Sequence, residues 1–279
     1  MSATIQWYEA VALGGVEGLT EFLPVSSTGH LTIVELLLGL PIDDDTVTAF
    51  TAVIQMGAIL AVILFFRADI WRIASAWARG ITEPQMRGTV DYRMGWYVVV
   101  GTLPVAVAGL LGRDLVTGAL RNLWWVASAL LVWSVVMVLA ERVATQRRHE
   151  ADVRLRDAVL IGVVQCLSLV PGVSRSGATI AAGLFAGLDR VTATRMSFFL
   201  SVPALTAAGL FELPAAVSGD IPITATLVAT VVSFAVAYVA VAWLLRFVAH
   251  HSITWFVGYR AALGVVLLIA LASGHLSAT

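Results

Sequence analysis

Lysine is absent from the 279 residues, cysteine occurs once, and only 13% of positions are charged. The scarcity of charge excludes an ordinary soluble domain, in which about 25% of residues are charged. With one cysteine, Cys166, no intramolecular disulfide can form; in its apolar run it reads as a small core residue. No arginine or lysine precedes Arg67, so the N-terminus lacks the positive flank of a cleavable signal peptide and the first apolar segment is expected to stay in the mature protein. No nucleic-acid partner is expected.

What is present is hydrophobic. Apolar residues make up 59% of the chain and the mean hydropathy is +0.90, which marks an integral membrane protein. Runs long enough to cross about 30 Å of hydrocarbon, roughly 20 residues at helical rise, lie near 49–66, 94–112, 123–141, 196–212, 223–245 and 256–273. Two further segments, 5–39 and 157–188, are apolar but interrupted by proline, glycine and hydroxyl residues.

The interrupted segments are related. A shift of 148 positions lays Val16 on Val164, Leu19 on Leu167, Val25 on Val173, Ser26 on Ser174 and Gly29 on Gly177. Arginine placement bears on their topology, because cytoplasmic loops are enriched in basic residues. If 157–188 enters and leaves on one side, fourteen of the seventeen arginines share a side, against only Arg113 and Arg121 opposite and Arg175 within the segment. A full crossing there reduces the split to ten against six. The re-entrant reading is therefore preferred, and the repeat extends it to 5–39.

Each half, approximately 1–148 and 149–279 of a single membrane domain, is then one re-entrant hairpin followed by three crossings. Three crossings per half insert the second half upside down. The expected fold is all-α, with six transmembrane helices, two re-entrant helical hairpins and an inverted-topology repeat. The hairpin tips are expected to meet near the midplane, where irregular backbone is tolerated only inside protein or beside a wet cavity.

The tips carry the chemistry. Glu17 and Glu21 are four apart and share a helix face. Two carboxylates so placed repel unless a cation lies between them or one keeps its proton. Hard oxygen ligands suit Mg²⁺ or Ca²⁺, and Mg²⁺ takes one or two carboxylates plus substrate phosphates. Pro24 ends the first helix, Ser26, Ser27 and Thr28 supply hydroxyls, and a helix resumes near His30. In the second copy Pro171 and Gly172 break the helix, Ser174, Arg175 and Ser176 follow, and Gly177 permits close backbone approach ahead of Thr179. Helix N-termini bind anions, and Arg175 adds a planar donor fork suited to phosphate.

These parts match phosphoryl transfer: a metal, a guanidinium and an in-line nucleophile. Ser27 is the candidate nucleophile or substrate contact, with His30 as base or acid. His30 as phosphoryl acceptor, or a carboxylate activating water, remain alternatives. Structural alternatives exist for individual residues: Ser26 and Ser176 can serve the broken backbone, and Arg175 can snorkel. The run Asp43, Asp44, Asp45 reads as a solvated loop, most tryptophans as an interfacial belt, and Trp133 as packing. Glu9, Glu212 and Arg260 receive no role.

At EGLTEFLPVSSTGHL, FTAVIQMGAILAVILFF, GTLPVAVAGLLGRD, PGVSRSGATIAAGLFAGLDR with MSFFLSVP, and FVGYRAALG the chain resembles the integral-membrane undecaprenyl-pyrophosphate phosphatase family of the bacitracin-resistance type. The resemblance implies metal-dependent removal of the terminal phosphate from undecaprenyl pyrophosphate, giving the lipid carrier used in cell-wall synthesis. It assigns Glu17 and Glu21 to metal and catalysis, Ser26, Ser27, Thr28 and His30 to the catalytic loop, and Ser174, Arg175 and Ser176 to the pyrophosphate. Gly177 and Thr179 complete the candidate substrate contacts. It further implies a bacterial plasma-membrane location, a site open to the outer face, and membrane lipid as surroundings; a homodimer is left open. The rival class is a lipid-phosphate flippase, since transporters also use inverted repeats with broken helices.

Overall fold

The computed structural model describes residues 5–41, 44–112, 120, 122–218 and 221–278. Asp43, Arg113 and Arg121 lie outside the described residues. The chain forms α1 (Trp7–Thr20), α2 (Ser27–Leu37), α3 (Asp45–Phe65), α4 (Arg67–Thr82), α5 (Val90–Leu111), α6 (Leu123–Val143), α7 (Leu155–Gln165), α8 (Arg175–Phe185), α9 (Arg190–Ser218), α10 (Ile223–His250) and α11 (Trp255–Ala272). Among the described residues there is no strand, only an isolated bridge between Arg148 and Leu188.

Six helices, α3, α5, α6, α9, α10 and α11, are long and apolar enough to cross a membrane. They coincide with the six runs read from the sequence. Large apolar side chains such as Leu103, Leu110, Val231 and Ile269 point outward from them, as befits helices whose outer solvent is hydrocarbon. The arginine-rich stretch after the first span is not a loop but α4. Its Ile73, Ala76 and Gly80 face inward while Trp71 and Arg79 face out. Its apolar residues recur at helical spacing, yet its charges keep it from spanning.

The two interrupted segments become helix pairs. In the first, α1 gives way at residues 21–26, through Pro24, to α2. In the second, α7 passes into a short 3₁₀ turn (Cys166–Leu169) and then Pro171–Gly172 before α8. Cys166, expected as a core residue, is half-buried at the start of that turn. The outer ends of each pair lie together. Ile5 and Leu40 share an apolar cluster with Phe50 of α3 and Ile221 ahead of α10. The Arg148 guanidinium binds Asp157 in the first turn of α7 and donates to the Ala186 carbonyl just past α8 at 2.7 Å.

Near Arg148 the polar connections knit together. Arg195 pairs with Glu150 (2.9 Å) and Asp69 (3.1 Å), Arg190 pairs with Glu141, and Glu141 also accepts from the Ile253 amide at 3.3 Å. The segments following α3, α6, α8 and α10 therefore meet in one polar layer. At the other end of the bundle Asp44 caps α3, accepting from the amides of Thr46 (2.7 Å) and Val47 (3.3 Å).

Small residues let the broken pairs approach the long helices. A Cβ on Gly14 or Gly18 of α1 would stand 2.3 Å from the Ala229 oxygen or 2.4 Å from the Ser233 oxygen of α10. Backbone meets backbone there without intervening side chains, as is common where helices pack in lipid.

Candidate active site

Two serines set the geometry of the breaks. Ser26 (φ 79°, ψ 95°) and Ser174 (φ 73°, ψ 118°) both hold a left-handed conformation that non-glycine residues rarely adopt. Such strain costs about 1–3 kcal/mol per residue and persists only where surrounding contacts over-determine it. Each serine caps the helix it precedes: Ser26 Oγ accepts from the Gly29 amide at 3.3 Å, and Ser174 Oγ from the Gly177 amide at 3.1 Å. Two positions 148 residues apart thus share backbone, cap and spacing.

The breaks also bind each other. The Gly172 amide donates to Ser26 Oγ at 3.1 Å, and Ser176 Oγ donates to the Leu23 carbonyl at 2.9 Å. Gly172 (φ +97°) must be glycine, because a Cβ there would lie 2.4 Å from the Val126 oxygen.

Across this junction runs a chain of charge. Arg175 donates through Nη2 to Glu21 Oε1 at 2.6 Å, and Ser27 Oγ donates to Glu21 Oε2 in a short hydrogen bond. Glu17, one turn before Glu21, is buried, and its Oε1 has no hydrogen-bond partner; neither has the buried Nη1 of Arg175. Among the described residues no three His, Cys, Asp or Glu side chains cluster as a ready cation site. Two carboxylates a turn apart with an orphan oxygen nevertheless fit a hard divalent cation that completes its shell with phosphate and water.

Two adjoining cavities open on these groups. The larger, about 470 Å³, has Glu21, Ser26, Ser27, Thr28, Ser174 and Arg175 at its polar end and apolar residues of α5 and α9 along the rest. The smaller, about 230 Å³, is lined by Glu17, Ser27, Thr28, Thr48, Thr51 and Gln55 among others. Ser27 and Thr28 face both.

Other expected site residues lie elsewhere. His30 lines neither cavity; its Nδ1 is 2.6 Å from the Ser26 carbonyl, and its Nε2 is 2.6 Å from the Tyr259 hydroxyl, whose ring stacks on it. Its nearest partners are thus not Ser27, which is held by Glu21. Ser176 is buried against Ser174 and Leu23, Gly177 donates its amide to the capping hydroxyl of Ser174, and Thr179 bonds the Ser197 hydroxyl (2.7 Å) and the Arg175 carbonyl (2.8 Å). These three sit behind the cavity wall and hold it.

The family model described as bacitracin resistance protein BacA matches residues 10–266. The chain belongs to the BacA family. Among curated relatives it is 55% identical over 274 residues to undecaprenyl-diphosphatase 3 of Frankia casuarinae, with 97% of this chain and 99% of the relative covered. It is 56% identical over 266 residues to an undecaprenyl-diphosphatase of Acidothermus cellulolyticus, covering 95% and 96%. With an undecaprenyl-diphosphatase of a Mycobacterium species identity is 52% over 279 residues, covering 98% and 100%.

In this BacA family chain, sequence reasoning passed over Glu212, which lines the larger cavity, and three further residues at or beside the site. Gln55 lines both cavities, Tyr259 holds His30, and Arg260 is buried against the breaks. A signal existed for two of them: a polar Gln55 and a charged Arg260 interrupt otherwise apolar spans, where such groups are expensive. For Tyr259 none existed, since a tyrosine near a membrane boundary is ordinary.

Proposed function

We propose that this BacA family protein is a membrane-embedded undecaprenyl-diphosphatase, converting undecaprenyl pyrophosphate to undecaprenyl phosphate and inorganic phosphate. The Arg175–Glu21–Ser27 chain carries the reading. A hydroxyl held by a carboxylate, beside a guanidinium with a donor to spare, suits transfer of a phosphoryl group better than mere binding of one. Nothing in the site favours a flippase, which needs binding groups but no activated hydroxyl.

In the proposed reaction Ser27 Oγ attacks the terminal phosphorus and its proton passes to Glu21. The bond from that phosphorus to the bridging oxygen breaks, its electron pair leaves on undecaprenyl phosphate, and the proton follows. Water then attacks the phosphoserine, gives a proton to Glu21, and releases inorganic phosphate; that proton returns to Ser27 Oγ. Arg175 orients Glu21 through Nη2 and offers Nη1 to a phosphate oxygen, while Ser174, Ser26 and Thr28 line the headgroup site. Glu17 and Glu21 would hold Mg²⁺ or Ca²⁺, which supplies neutralisation of phosphate charge when bound.

A cavity of about 470 Å³ is the size of a small-molecule pocket. It takes the diphosphate and the first prenyl units against α5 and α9, leaving the remaining tail in lipid. We further read α1/α2 and α7/α8 as re-entrant hairpins of an inverted repeat, supported by the paired outer ends and the matched serines. The site is proposed to open to the outer face of the bacterial plasma membrane, opposite the arginine-rich layer.

The test is purified protein, defined undecaprenyl pyrophosphate and a phosphate-release assay, with quenched samples mapped by mass spectrometry. Release of phosphate with transient phosphorylation at Ser27, and none in Ser27→Ala, is the expected result. Turnover surviving in Ser27→Ala would remove the nucleophile; no turnover in the unaltered chain would remove the function.

A further inference from the structure

Among the described residues Arg260 is the largest side chain that is fully buried, and the proposed reaction makes no use of it. It rises from α11 beneath both breaks at once. Its Nη1 donates to the Pro24 carbonyl at 3.1 Å, and its Nη2 to the carbonyls of Gly172 (2.9 Å) and Val173 (3.2 Å). Its Nε lies 3.4 Å from Ser134 Oγ of α6. Pro24 and Gly172–Val173 are residues at which the two helix pairs break, within two positions of the strained Ser26 and Ser174.

Among the described residues Arg260 forms no ion pair with a carboxylate. Burying a charge without a counter-charge is costly, and a neutral side chain of similar size would pack a purely structural core more cheaply. The charge balance of the chamber gives a reason to keep it. Arg175 is matched by Glu21, and Glu17 adds a second carboxylate, so before the divalent cation binds, the protein's own side chains at the headgroup are acidic in sum apart from Arg260.

We propose that Arg260 is the positioning residue of the site: its fork fixes the two breaks relative to each other, and its unmatched charge offsets Glu17 and favours the polyanionic headgroup. Three carbonyls from two separated segments need a planar, multi-donor group, and a lysine ammonium is a compact point charge without that geometry. Fork and charge are thus separable by substitution. The inference rests on the diphosphatase reading for its kinetics and not for its structural half.

The experiment compares the full-length protein with Arg260→Lys and Arg260→Gln, each checked for a monodisperse folded peak in detergent. In Arg260→Lys the charge is kept and the fork lost. The expected result is a fall in kcat of about 100-fold, the scale of a small misplacement of reacting groups, with KM nearly unchanged. In Arg260→Gln, KM and the inhibition constant of inorganic pyrophosphate are expected to rise about tenfold as well, since a buried charge acts at low effective dielectric. Hydrogen exchange followed by mass spectrometry should show residues 23–29 and 171–177 protected together in the unaltered protein and loosened together in Arg260→Lys.

A folded Arg260→Lys with unaltered kcat and exchange overturns the positioning role. An Arg260→Gln with unaltered pyrophosphate inhibition overturns the charge role. Should neither variant fold, rapid exchange of both breaks in the unaltered protein overturns the proposal and joint slow exchange supports it. Absence of turnover in the unaltered chain strikes the diphosphatase reading alone, because exchange and thermal stabilisation by pyrophosphate still decide the part played by Arg260.

Discussion

The amide of Gly172 donates a hydrogen bond to the hydroxyl of Ser26, joining at 3.1 Å two residues 146 positions apart in the chain. That bond lies where two helix breaks touch, and it explains how a serine keeps a backbone conformation that costs it energy. The same oxygen caps α2 by accepting from Gly29. Ser26 is thus held from its own helix and from the opposite break.

Replacement of Ser26 separates these effects. Ser26→Ala loses a cap, about 1 kcal/mol, and leaves the Gly172 amide buried and unpaired, about 1–3 kcal/mol more. Ser26→Gly loses the same bonds but relieves the left-handed strain, about 1–3 kcal/mol. Thermal unfolding in detergent should therefore rank unaltered protein above Ser26→Gly, and Ser26→Gly above Ser26→Ala. The reverse order for the two variants would mean that the serine backbone is not strained.

Glu21 and Arg175 should behave as a coupled pair. Arg175→Met alone leaves a buried carboxylate without its partner, and Glu21→Leu alone leaves a buried guanidinium; each is expected to cost about 3–5 kcal/mol. The double variant should recover much of that loss while all three remain without turnover. Additive destabilisation in a double-mutant cycle would show that the 2.6 Å contact carries no coupling.

Glycine contacts predict a packing limit. Gly14→Leu and Gly18→Leu drive side-chain atoms into the α10 backbone, where even a Cβ would be 2.3 Å or 2.4 Å from a carbonyl oxygen. Overpacking of this kind costs about 1–3 kcal/mol or more. Gly15, with nothing near its Cβ position, is the control: Gly15→Ala should unfold no lower than the unaltered protein, and somewhat higher because alanine is the better helix former.

Chelation tests the carboxylates. Phosphate release should stop in EDTA and return with Mg²⁺ or Ca²⁺, and Glu17→Gln should need a higher metal concentration for half-maximal activity. Full activity in chelator would leave the orphan oxygen of Glu17 to water instead of a cation.

The spans were legible because hydrocarbon imposes one simple requirement on composition and length. The matched breaks were legible too, since proline, glycine and serine recur at one offset. What the arginine-rich stretch 67–82 does was missed: periodicity there competes with charge, and only packing of Ile73 and Ala76 shows the helix. For the site, the acidic and basic residues could be named from their improbability in lipid. Their pairing could not, and the sequence placed His30 beside Ser27 only because three positions separate them, whereas the imidazole turns to Tyr259.

By itself the sequence determined an all-helical membrane protein with charged, broken segments in its interior, because a bilayer admits few other uses for such residues. Tertiary structure alone decided which groups meet. Glu21 takes Ser27 and Arg175, Ser26 takes Gly172, and Arg260 gathers the carbonyls of both breaks. Those contacts span 146 to 236 positions of chain except for Ser27 with Glu21 and Arg260 with Gly172 and Val173. Local pattern fixes where a helix stops, but which distant carbonyl or carboxylate satisfies a buried donor depends on how the whole bundle packs.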